Sequence, residues 1–137
     1  MNTPENNKKI VQRFNKEYIE GGSEKAFAEI IDPSFVNRTA PEGMPTGPEG
    51  VKYFFGGLLK PAFHDLKVEI LDQVAESDKV TTYKVFHAVH NGDFFHLKAS
   101  GRKVRIYVID IIRLRDSRFV EHWNVVDLQN VSDQANK

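Results

Sequence analysis

The stretch KVRIYVIDIIRLRDSRFVEHWNVVD, residues 103–127, alternates side-chain character with a period of two, turns at Arg115-Asp116-Ser117, and resumes as a second extended run. That period belongs to β-strands, whose successive side chains point to opposite faces of a sheet. In the first run one face carries Val104, Ile106, Val108, Asp110, Ile112 and Leu114, and the other carries Arg105, Tyr107, Ile109, Ile111 and Arg113. In the second run Val120, His122, Asn124 and Val126 share one face, opposite Phe119, Glu121, Trp123, Val125 and Asp127. Two long strands joined by a tight turn make an antiparallel hairpin.

Upstream the same period persists. Leu66, Val68 and Ile70 alternate with Lys67, Glu69 and Leu71, and Glu76-Ser77-Asp78 turns into KVTTYKVFHAVH, rich in β-branched and aromatic residues. Asn91-Gly92 is a strong hairpin signal, and FFHLKA with a turn at Ser100-Gly101 leads back to residue 103. Before Pro61 the spacing is helical. Ile10, Val11, Phe14, Tyr18 and Ile19 recur at three and four, and Gly21-Gly22 stops the run. Ser23 is placed to cap a short second helix through Ile31, which Asp32-Pro33 ends. VNRTAPEGMPTGP, residues 36–48, reads as a structured loop, and PEGVKYFFGGLL, residues 48–59, as a third helix with Pro48 in its first turn. Helices followed by a meandering sheet predict an α+β chain, one domain over residues 1–137, with helices over roughly 5–60 and sheet over roughly 64–128.

Composition narrows the function classes. Nineteen basic and nineteen acidic residues balance, and neither sign forms a block, so a nucleic-acid or membrane-surface partner is not expected. The chain has no cysteine, which removes disulfides, thiol nucleophiles and Cys-ligated metals. The N-terminal MNTPENNKKIVQRF lacks secretory features, and no apolar run reaches ~18 residues, so a cytoplasmic location is expected. His87 and His90 in HAVH point to opposite faces of a strand, a poor arrangement for a shared metal.

The chemistry-bearing candidates sit on the sheet. Asp110 falls on an otherwise aliphatic face, where a carboxylate is costly unless paired or hydrogen-bonded; such acids are either structural or general acid/base groups. His122 and Asn124 share a face on the neighbouring strand. Curvature would gather Asp110, His122, Asn124 and a histidine of the preceding strand into one pocket, where His87 shares its face with Tyr83, Val85 and Val89. Asn37, Tyr83, His87, Ile106, Val108 and Trp123 are the expected wall residues.

The segments DPSFVNRTAPEGMPTGPEGVKYFF, AFHDLKVEI and VIDIIRLRDSRFVEHWNVVD resemble the SnoaL-like polyketide cyclase, or ester cyclase, family of the nuclear transport factor 2-like superfamily. The most specific pieces are Asp110, Arg113, Glu121, His122, Trp123 and Asn124 in the D-x-x-R…E-H-W-N pattern, and Phe35 to Pro41. The resemblance implies a cone-shaped, strongly bent antiparallel sheet, closed by N-terminal helices around an apolar pocket and commonly dimeric through the sheet. It further implies ring closure by intramolecular aldol chemistry without metal or cofactor, on a small apolar carbonyl-containing molecule. The family's catalytic aspartate falls on Asn124, and its assisting histidine on Asp110. Asparagine can orient a carbonyl but does not take up a proton. Three expectations therefore stand side by side. Asp110 is the acid/base group with His122 and Asn124 orienting the substrate, or the pocket binds a small molecule without turning it over, or the polar cluster is structural. A homodimer is expected, with Tyr107, Ile109 and Ile111 as its patch.

Overall fold

The computed structural model describes residues 3–135. Helix α1 runs Pro4–Arg13 and continues through Phe14–Glu20 in wider π-helical turns. The Thr3 side chain caps it by accepting from the Asn6 amide, and Val11, Phe14, Tyr18 and Ile19 form its buried stripe. Helix α2 (Glu24–Ile30) begins as expected, with the Ser23 hydroxyl accepting from the Ala26 amide. Helix α3 spans Pro48–Lys52, π-helical Tyr53–Leu59 and Lys60–Ala62. None of the helices described is long and apolar enough to cross a membrane.

The sheet is curled and unclosed, in the order β1-β5-β4-β3-β2. Strands β2 (Phe63–Glu76), β3 (Lys79–His90), β4 (Lys103–Arg115) and β5 (Arg118–Val126) are the antiparallel meander that the period of two predicts. The ladder of β2 is interrupted between His64 and Lys67 and between Ile70 and Asp72, and Asp65 adopts a positive φ of 56°.

Four features depart from the expected layout. Strand β1 (Ile31–Asn37) starts where a helix end was expected and pairs parallel with β5, Asn37 lying level with His122. Pro33 is tolerated because β1 is an edge strand and its register is interrupted between Ile31 and Val36. Asn91-Gly92 does not form a two-residue hairpin; β3 and β4 are joined by residues 91–102, from which Phe94 and Leu97 pack into the core. Gly92 serves close packing instead, since a Cβ there would lie 2.4 Å from the Pro61 carbonyl oxygen. A fourth helix, α4 (Leu128–Ala135), follows the sheet and packs on β4. Finally, β5 carries a bulge: Arg113 pairs with Glu121 but Leu114 with Phe119, leaving Val120 as the extra residue. The bulge breaks strict alternation and puts Phe119 on the same side as His122, where alternation alone opposes them.

Candidate functional site

Residues of α1, β1, α3 and the inner faces of β3, β4 and β5 enclose a cavity with about 60 Å³ of free space, enough for a few waters or a small ligand group. Its walls are mainly apolar, including Val11, Phe14, Ile19, Phe35, Phe54, Phe55, Phe86, Val108, Ile112, Phe119 and Val126. Five polar residues reach it: Asn15, Lys84, Asp110, His122 and Asn124.

Strand register explains how these meet. Across the inner face one row is Thr82, Asp110 and Asn124; the flanking rows are Lys84, Val108, Val126 and Val80, Ile112, His122. Lys84 is thus diagonal to Asp110 on the same face, within reach of a long side chain. Its Nζ lies 2.8 Å from Asp110 Oδ2, with the two side chains only 5% and 6% exposed. The same Nζ donates to Asn15 Oδ1 at 2.7 Å, and Asn15 Nδ2 donates in turn to the Val11 carbonyl at 2.8 Å. Asp110 Oδ1 is buried and has no hydrogen-bond partner among the described residues. The carboxylate is therefore held by one oxygen and free at the other.

His122 lies two residues before Asn124, its ring 6.4 Å from that of Phe35. Burial pushes its pKa down to about 4, the Lys84 charge acting the same way and Asp110 opposing. The imidazole is neutral near pH 7 and acts as a hydrogen-bonding group rather than a proton-loaded acid. Asn124 is tied to the loop after β1: its backbone N–H donates to Thr39 Oγ1 at 2.9 Å, and Thr39 Oγ1 donates to Asn124 Oδ1 at 2.7 Å. Next to Thr39, Arg38 binds Glu121 at 2.9 Å, and Arg113 joins Glu121 to Asp78. The Arg38 hydrogen bond, with Arg113 behind it, holds the Glu121 carboxyl below its usual range despite desolvation. The E-H-W-N segment thus divides its work. Glu121 anchors the loop outside, and His122 and Asn124 face the cavity.

Of the residues expected at the site, Asp110, His122, Asn124 and Val108 line the cavity. Tyr83 and His87 do not. The inward face of β3 is Val80, Thr82, Lys84, Phe86, Ala88 and His90, so Tyr83 stacks on Tyr107 outside and His87 pairs with Glu69 at 2.9 Å. Ile106 is on the inner face but packs in the core away from the cavity, only 2% exposed. Trp123 points to the other side of β5, under the Lys79 ammonium at 5.8 Å. Asn37 lies outside the lining and accepts from the Thr39 amide at 3.1 Å. Lys84, Asn15 and Thr39 were not anticipated. Among the described residues no group of three His, Cys, Asp or Glu side chains is arranged to hold a metal ion.

A family model for the SnoaL-like polyketide cyclase matches residues 9–135. Solved structures of the same fold include TsrD from Streptomyces laurentii, 21% identical with a TM-score of 0.86 and covering 98% of each chain. IdmH from Streptomyces antibioticus, provisionally described as a polyketide cyclase, is 24% identical with a TM-score of 0.84, covering 96% of this chain and 99% of its own. A protein of Bacillus cereus with the same provisional description is 25% identical with a TM-score of 0.81, covering 96% and 80%. No curated protein matches the chain.

Proposed function

Because the chain belongs to the SnoaL-like polyketide cyclase family, we propose that it is a cofactor-independent cyclase acting by intramolecular aldol chemistry on a small, apolar, carbonyl-bearing molecule. The observation that carries this reading is the buried, unpartnered Oδ1 of Asp110, a residue of the apolar cavity's lining whose Oδ2 is fixed by Lys84. A base needs one free oxygen in hydrogen-bond reach of the substrate and a support that stops it rotating away.

The steps balance within the pocket. Asp110 Oδ1 removes a proton from the carbon next to a substrate carbonyl, and the electron pair moves onto the carbonyl oxygen as an enolate. Hydrogen bonds from Asn124 and neutral His122, together with conjugation in the substrate, stabilise that oxygen. The enolate carbon attacks a second carbonyl of the same molecule, forming the ring C–C bond. The alkoxide that results takes back the proton from Asp110, giving a hydroxyl and restoring the carboxylate. Lys84 remains the counter-ion throughout, and Asn15 holds Lys84.

The test is exchange of the α-protons of small ketones such as acetone for deuterium in D2O, followed by NMR. The wild type should exceed the buffer rate and Asp110→Asn should fall to it; a wild type at the buffer rate, or an Asp110→Asn variant that still exchanges, would sink the mechanism. A second reading, a binding module, is favoured by Asn124 at the position of the family's catalytic aspartate. It predicts that native mass spectrometry recovers a ligand unchanged after incubation. In either case the chain is proposed to pair with a second copy through the outer face, where Tyr83, Ile109 and Val125 are 39%, 50% and 73% exposed.

A further inference from the structure

Asn124 can present either its oxygen or its NH2 group to the cavity, and the choice decides what the pocket recognises. Thr39 has a single hydroxyl proton. Its oxygen already accepts from the Asn124 backbone N–H at 2.9 Å, and the nearest acceptors are Asn124 Oδ1 at 2.7 Å and Asn37 Oδ1 at 3.3 Å. The shorter bond is in the normal range for O–H···O and the longer one is outside it. The proton therefore goes to Asn124 Oδ1, and the Nδ2 end, which has no hydrogen bond among the described residues, is the end left for the cavity.

We propose that Thr39 is a positioning residue that locks the Asn124 carboxamide with its NH2 toward the cavity, so that the pocket selects an oxygen acceptor seated beside the Asp110 carboxylate. Asp110 and Asn124 are directly opposite across β4 and β5, which places their Cα atoms ~4.5 to 5.5 Å apart. A donor at one position and a free carboxylate oxygen at the other match an O=C–C–H unit: the carbonyl oxygen on Asn124 and the acidic C–H on Asp110 Oδ1. The class is an enolisable ketone. A hydrocarbon of the same shape leaves that NH2 without a partner when it displaces water from it, and binds more weakly. This rests on the cavity being the ligand site of the proposed function, but not on turnover.

The loop that carries Thr39 has other anchors, so Thr39 can be altered without releasing it. Arg38 binds Glu121, and the Asn37 amide donates to the Thr46 carbonyl at 2.7 Å.

NMR titration with acetone and with isobutene, its isostere without the oxygen and small enough for the cavity, tests the proposal on the wild type, Thr39→Val and Thr39→Ser. The wild type should bind the ketone about tenfold tighter than the alkene, as one net hydrogen bond of about 1.4 kcal/mol implies. Thr39→Val should bring the ratio close to one while affinity for the alkene stays the same, and Thr39→Ser should restore it. A Thr39→Val protein with the wild-type ratio, a Thr39→Ser protein that behaves like Thr39→Val, or a wild type without preference or binding overturns the proposal. A preserved ratio with no deuterium exchange overturns only the catalytic reading.

Discussion

Lys84 grips Asp110 by one oxygen, Nζ to Oδ2 at 2.8 Å, and leaves Oδ1 bare inside the protein. This asymmetry separates a site from a merely satisfied core ion pair, and it makes the pair both a structural element and a reactive one.

The structural side is measurable by urea denaturation. Lys84→Met strands a buried carboxylate and should cost about 3 to 5 kcal/mol. The double variant Lys84→Met, Asp110→Leu removes both charges and should recover most of that loss. A double variant no more stable than Lys84→Met would mean that Lys84 stabilises chiefly through Asn15.

Restoring the family's acid has an electrostatic consequence. Asn124→Asp puts a second carboxylate directly opposite Asp110, and two such groups raise the apparent pKa of one of them. A raised folded-state pKa contributes stability below the unfolded value, and that contribution is lost as pH rises. The variant should therefore lose stability relative to wild type between about pH 4 and pH 7. Parallel denaturation curves for the two proteins across that range would show that no such coupling exists.

His122 gives a dependence in the other direction. Its folded pKa of about 4 lies below the ordinary value of 6.5 because burial disfavours the imidazolium. Between those values the unfolded chain binds more protons, so stability is complete above about pH 6.5 and falls as pH drops toward 4. The loss should reach a few kcal/mol, at about 1.4 kcal/mol per unit. His122→Gln should flatten that part of the stability profile.

The outer face predicts assembly. Val125, at 73% exposure the most open of the large apolar side chains among the described residues, lies near Ile109 and Tyr83 on the outer face. Light scattering after gel filtration should give a dimer mass for the wild type and a monomer mass for Val125→Glu. A monomeric wild type would remove the dimer expectation.

The meander was legible because four strands keep a period of two and the apolar stripes of α1 and α3 keep a spacing of three and four. Asp110 stood out as the single carboxylate on an aliphatic face. Its counter-ion was missed because a strand lysine is usually solvated, although alternation already grouped Lys84 with Thr82, Phe86, Ala88 and His90. A buried acid requires a partner, and pairing β3 with β4 in register supplies Lys84. His87 and Tyr83 were favoured for their chemistry over that grouping, and the structure puts them outside. Strand β1 and the Val120 bulge had no local signal: one depends on the free edge of β5, the other on how β4 and β5 twist together.

Glu20, at the end of α1, donates nothing to the cavity, yet its Oε2 accepts the Val68 amide of β2 at 2.6 Å. Burial of the carboxyl works against its ionised form, but that amide and Lys16 together hold its pKa below the usual range. β2 is the outermost strand on its side, and an unpaired strand edge is a template for other chains. With Val68 already engaged, two breaks in the ladder and Lys67, Glu69 and Asp72 turned to water, that edge offers no continuous row for a foreign strand. The carboxylate at the end of α1 thus occupies a backbone donor on the open edge of the sheet as well as pairing with Lys16.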